Sequence, residues 1–116
     1  MSQNKIIISC PFKYTLNVLQ GKWRFTIIYS LLNKGTLRFK ELERDIKKIS
    51  PRMLIKELKE LEKEKVVSRK AFATVPPTVK YSLTAYGKTL EPILKSMHHW
   101  GELHLEELSK IKTKKV

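Results

Sequence analysis

Residues 50–65 constrain this chain more than any other stretch. Ser50 is a good N-cap acceptor, and Pro51 stands at the first helical position, where its missing N–H costs nothing. From Arg52 to Lys65 the pattern reads as one uninterrupted helix. At about 100° per residue, Arg52, Lys56, Lys59 and Lys63 fall within roughly 60° of arc. Leu54, Leu58 and Leu61 lie opposite, and Glu57, Glu60 and Glu64 fill a flank. The leucines require a core on one side, which leaves a purely cationic face on the other. A solvated helix held by side-chain pairs, such as Glu60 with Lys56 and Lys63, shares part of this pattern. The flanking segments have to decide between the two readings.

Upstream, Phe12, Leu16 and Leu19 take helical spacing after Cys10-Pro11, and Gly21 ends that first helix. Trp23, Ile27, Ile28, Leu31 and Leu32 mark a second helix, apolar over a wide arc and therefore central. Asn33-Lys34-Gly35 stops it, and Phe39, Leu42 and Ile46 suit a short third. Downstream of the capped helix, Val66 to Phe72 and Val79 to Leu83 read as strands. Pro76-Pro77 between them must sit at a hairpin tip, because neither proline suits a central strand. Thr84 caps a long final helix starting at Ala85, with Leu90, Ile93, Leu94, Met97, Trp100, Leu108 and Ile111 on one stripe. This stripe is longer than so small a core needs, so it predicts a homodimer.

The order of elements is four helices, two strands and a helix. The fold class is mainly α with a small β-hairpin: a winged helix-turn-helix with N- and C-terminal dimerisation helices. The 116 residues read as one domain with a core of about 10–108, and 109–116 as a basic tail that frays from Lys110 onward.

Twenty-four Lys and Arg against eleven Asp and Glu give a net charge of +13, which calls for a polyanionic partner. No apolar run approaches a membrane span, and Ile6-Ile7-Ile8 is too short for a secretory leader, so a cytoplasmic location is expected. The chain has no Gly-rich phosphate loop, nucleophile elbow or metal constellation, which argues against an enzyme and leaves no cofactor to expect. Double-stranded DNA is the expected partner. The competing reading is a basic module that binds RNA or DNA without reading sequence. Single strands would call for exposed aromatic platforms, whereas the aromatics here fall mostly on apolar stripes.

Position grades the expected DNA contacts. Ser50, Arg52, Met53 and Lys56 occupy the helix end that approaches bases, while Lys59 and Lys63 suit phosphates. Arg38 precedes the third helix, and Arg69, Lys70, Thr78 and Lys80 flank the hairpin loop, within reach of phosphates or a minor groove. The expected dimer contacts are Phe12, Leu90, Ile93, Leu94, Met97, Trp100, His104 and Leu108. His98, His99 and His104 lack metal-ligand spacing, and His104 suits a polar position in the dimer seam.

The series Cys10-Pro11, Gly21-Lys22-Trp23, Arg38-Phe39-Lys40-Glu41-Leu42, Ile49-Ser50-Pro51-Arg52-Met53-Leu54, Leu58-Lys59-Glu60-Leu61-Glu62, Pro76-Pro77-Thr78-Val79-Lys80-Tyr81-Ser82-Leu83-Thr84, Gly87 and Trp100-Gly101 is collinear. Over roughly residues 10 to 101 it resembles the HxlR-type bacterial regulators, a MarR-like branch of winged-helix proteins. Gln20, Thr78 and Lys80 depart from that pattern. The resemblance implies transcription regulation by a homodimer whose two recognition helices enter successive major grooves of a partly palindromic operator. Cys10 is the only cysteine, which excludes an internal disulfide. It stands at a helix N-terminus, where the dipole favours a thiolate. The resemblance adds that Cys10 could sense an oxidant or electrophile, with a small-molecule or oxidant effector. An inert cysteine near a dimer interface is the alternative.

Overall fold

Ser50 Oγ accepts a hydrogen bond from the Met53 N–H at 3.1 Å, the cap that the sequence expects. The computed structural model describes residues 10–115, with side chains through Ile111. The Ile6-Ile7-Ile8 run and Val116 lie outside the described residues. In chain order the elements are α1 (Pro11–Leu19), α2 (Arg24–Lys34), β1 (Leu37–Arg38), α3 (Phe39–Ile46), α4 (Pro51–Lys63), β2 (Val67–Phe72), β3 (Thr78–Leu83), a 3-10 turn (Gly87–Leu90) and α5 (Glu91–Lys115). None of these helices is long and apolar enough to cross a membrane.

Helix α2 is central. Its Ile27, Ile28 and Leu31 meet Leu42 and Ile46 of α3, Leu54, Leu58 and Leu61 of α4, and Tyr81 and Leu83 of β3 in one core. Burying each α4 leucine contributes roughly 2 kcal/mol, so three of them fix which way the helix faces. The buried Ser30 hydroxyl of α2 donates to the Asp45 carboxylate of α3. That bond holds the Asp45 carboxyl below its ordinary range against the opposing effect of burial, with Lys34 at 3.2 Å adding to it. In the turn between α3 and α4, Lys47 and Lys48 take left-handed φ values of 53° and 64°, and the buried Ile49 anchors it.

The structure adds a third strand to the expected hairpin. Leu37–Arg38 pairs antiparallel with β3, giving the order β1-β3-β2. Two residues are too few to display alternation, so the sequence pattern hides this strand. Its register sets Arg38 opposite Lys80, while Lys80 lies opposite Lys70.

The final helix also departs from expectation. Thr84 does accept a hydrogen bond, from the Gly87 N–H at 2.8 Å, but the turn that follows is 3-10 and the α-helix begins only at Glu91. Pro92 explains the break: a proline lacks the N–H of a continuing helix and its ring crowds the carbonyl four residues back. At the other end α5 continues to Lys115, so the stretch from Lys110 is helical where a frayed tail is expected. Lysines in a last turn suit the negative end of the helix dipole.

Gly87 makes the junction between sheet and final helix possible. A Cβ there would lie 2.2 Å from the Val66 carbonyl oxygen, which already accepts from the Thr84 N–H at 3.0 Å. Gly87→Ala should destabilise the protein by about 2–3 kcal/mol or more through this overlap with backbone. Urea unfolding at fixed protein concentration measures it, and an unchanged midpoint would contradict this packing.

Candidate nucleic-acid interface

With the leucines buried, α4 presents Arg52, Lys56, Lys59 and Lys63 to solvent. Of the acidic residues of the same helix, Glu57 is drawn away from this ridge. Arg24 Nε of α2 donates to Glu57 Oε1 at 2.7 Å, and Arg24 Nη1 donates to the Asn17 carbonyl of α1 at 2.9 Å. Both side chains of the Arg24–Glu57 pair are largely buried, so the pair clamps three helices together and neutralises Glu57. Glu60 lies 3.6 Å from Lys63, which compensates the far end of the ridge. Lys56, which the sequence pattern also allows as a partner for Glu60, makes no ion pair among the described residues. Neither do Arg52 and Lys59. The helix N-terminal half is thus an uncompensated cationic surface, while Ser50 is held as the cap.

Met53 is the apolar residue expected near base edges. Its side chain is half-buried against the core, because position 53 falls between the basic ridge and the leucine face. Ile55 is the converse case. It is exposed beside the ridge, yet a search for basic residues passes over it.

The wing supplies a second basic surface. Arg38, Lys80 and Lys70 form a cross-strand row on one face of the sheet. Like charges set directly opposite one another cost stability, so the row favours a polyanion that would neutralise it. Lys80 Nζ also lies 5.5 Å over the Phe72 ring. Arg69 does not join this row. It pairs with Tyr81 on the opposite sheet face, because successive strand residues point to opposite sides, and it is exposed there beyond the buried Val67. At the loop, Thr78 Oγ1 lies 2.9 Å from Thr74 Oγ1, and Thr74 Oγ1 donates to the Pro76 carbonyl at 2.7 Å. A shallow groove brings the wing residues Pro76, Pro77 and Thr78 beside Arg38 at the N-cap of α3, Lys40 and Glu41 in its first turn and Arg44 in its last.

The expected dimer contacts divide into two groups. Leu94 is fully buried in the core, so it is not free to contact a partner, while Leu90 is half-buried against that core. The first turns of α5 rest on the protein's own core, where His98 stacks on Tyr29 of α2 at 5.3 Å. Beyond that point the helix leaves the core. Trp100 and Leu108 there are exposed, Trp100 at 64% and stacked on His104 at 4.9 Å, as are Ile93 and Met97 on the outer side of the first turns. Phe12 of α1 is 66% exposed. Leu16, Leu103, Leu105 and Ile111 extend the uncovered apolar surface beyond the expected contact set. Cys10 is half-buried at the N-cap of α1, and its carbonyl accepts from the Lys13 N–H at 3.0 Å.

The HxlR-like helix-turn-helix family model matches residues 18–109. The HTH-type transcriptional regulator BH0655 of Halalkalibacterium halodurans is 47% identical over 97 residues, 84% of this chain and 86% of that protein. The HTH-type transcriptional regulator YybR of Bacillus subtilis (strain 168) is 42% identical over 112 residues, 93% of this chain and 89% of that one. Among solved structures, the redox regulator HypR in its reduced form matches with a TM-score of 0.81 and 42% identity, over 87% of this chain and 99% of that chain. Its oxidised form matches with a TM-score of 0.75 and 45% identity, over 80% and 95%. A family model matching most of the length, and relatives this similar over most of both chains, make this chain a member of the HxlR-like helix-turn-helix family of transcriptional regulators.

Proposed function

We propose that this regulator works in the cytoplasm as a homodimer that binds double-stranded DNA sequence-specifically, on a pseudo-palindromic operator. The observation that carries the reading is the α4 ridge: Arg52 and Lys56 are exposed beside a capped helix N-terminus, while Glu57 is tied to Arg24. A helix so placed reaches base edges with its first turns and phosphates with Lys59 and Lys63. Arg38, Lys70, Thr78 and Lys80 add backbone or minor-groove contacts from the wing. Arg69, on the other sheet face, has the weakest claim to such a role.

The exposed apolar surfaces of α1 and α5 support the dimer. A hydrophobic stripe left open on a small, highly charged protein marks an association surface. Phe12, Ile93, Met97, Trp100, His104 and Leu108 form the proposed seam.

We further propose that Cys10 makes DNA binding responsive to oxidants or electrophiles. Its half-buried position on α1, close in sequence to Phe12, puts it on an element of the proposed seam, and the structural match to a redox regulator supports the idea. With one thiol per chain, oxidation by diamide would join two protomers. Two thiols lose two protons and two electrons, one S–S bond forms, and diamide accepts both hydrogens.

Three outcomes are expected. Arg52→Ala and Lys56→Ala should each weaken binding to a selected operator by about 1–3 kcal/mol if the contact is bidentate to a base, and weaken bulk-DNA binding less. Equal loss on both DNAs, measured by fluorescence anisotropy at fixed salt, would favour a module that does not read sequence. Trp100→Glu should produce monomers in sedimentation, and a variant that stays dimeric would refute the seam. Diamide should change operator affinity in the wild type but not in Cys10→Ser, with a disulfide-linked dimer on non-reducing gels. Unchanged binding by fully modified Cys10 would remove the redox role.

A further inference from the structure

We propose that Ile55 reads sequence, by packing its side chain against the C5-methyl group of a thymine in the major groove. The inference rests on the reading of α4 as a recognition helix and adds a residue to it.

Ile55 is 43% exposed and lies outside the hydrophobic core, although it belongs to the same helix as the three buried leucines. Arg52, Ile55, Lys56 and Lys59 take the spacing i, i+3, i+4 and i+7, which places them on one helix face. Ile55 is the apolar member of that face, with cations on both sides of it in sequence register.

A single exposed isoleucine on a protein surface is ordinary. This one differs in its place. It follows the Ser50 cap by little more than a turn, in the part of a recognition helix that comes nearest to base edges. An exposed β-branched residue adds nothing to helix propensity or solubility there, where lysine and glutamate would serve better. For contact it is well suited, since β-branching leaves few χ1 rotamers to lose on binding.

The chemistry selects the base. Arginine and lysine find guanine acceptors or phosphates. The apolar group displayed in the major groove is the thymine methyl, and an sec-butyl side chain between two cations complements a methyl beside polar base edges. The ridge would then read a thymine next to a contact made by Arg52 or Lys56, instead of merely measuring charge.

Deoxyuridine isolates this contact, since uracil differs from thymine only by that methyl. A duplex operator is first selected from a random library with the full-length wild-type protein. Each thymine of one half-site is then replaced in turn by deoxyuridine, and affinities are measured for the wild type, Ile55→Ala and Ile55→Val. At one position the wild type should lose about fourfold in affinity, the size expected for one buried methyl group. Ile55→Ala should bind thymine and uracil equally at that position, and Ile55→Val should keep part of the preference. Circular dichroism and sedimentation should show Ile55→Ala as folded and associated as the wild type is. Indifference of the wild type to every uracil, the same thymine preference in Ile55→Ala, or altered association in that variant would overturn the role of Ile55 while leaving the regulator reading intact. Failure to select any sequence would overturn both.

Discussion

The arrangement depends on how α4 is held. Leu54, Leu58 and Leu61 bury one side of the helix, and the Arg24–Glu57 pair ties its flank to α2 and, through Asn17, to α1. Packing and electrostatics act in the same direction here. The leucines set the rotation of the helix, and the ion pair removes the carboxylate that would otherwise oppose a phosphate near the ridge. A largely buried pair of this kind costs desolvation, so its value lies less in net stability than in fixing one orientation. The basic surface follows from the core and is not an independent feature of the sequence.

The same logic divides α5 into two parts. Its first turns belong to the core through Leu94 and the His98–Tyr29 stack. The rest projects as a helix whose apolar residues have no cover in the single chain. A 25-residue helix is about 37 Å long at 1.5 Å per residue, well beyond what one small core can bury. In the proposed dimer that projecting half, together with α1, sets the separation between two copies of α4. In that proposed dimer Cys10, the N-cap of α1, would have a mechanical route to the DNA, since a covalent change at the seam would alter where the two ridges stand.

Much of this was legible in the residues because short-range chemistry dictates it. Ser50-Pro51 announced the start of α4, the leucine spacing gave its buried face, and Pro76-Pro77 located the wing tip. What stayed hidden depended on partners distant in sequence. β1 is too short to show alternation and exists because β3 lies beside it. Leu94 and Trp100 share one helical stripe, and periodicity cannot tell which of them the protein's own core covers. Arg69 and Lys70 fall on opposite sheet faces by strand alternation alone, but only the register with β3 sets Lys70 in a row with Lys80 and Arg69 opposite Tyr81. Ile55 drew no expectation, since reading the ridge by charge alone gives no weight to an exposed apolar side chain, and the half-burial of Met53 depends on core residues remote in sequence.

Dimethyl sulfate footprinting on a selected duplex tests the central claim most directly, because it reports access to guanine N7 in the major groove. Two copies of the α4 ridge should protect guanines in two successive major grooves on one side of the duplex, with centres about 10 base pairs apart. Protection confined to a single groove, or binding that leaves every guanine N7 accessible in an operator containing guanines in both half-sites, would contradict the account.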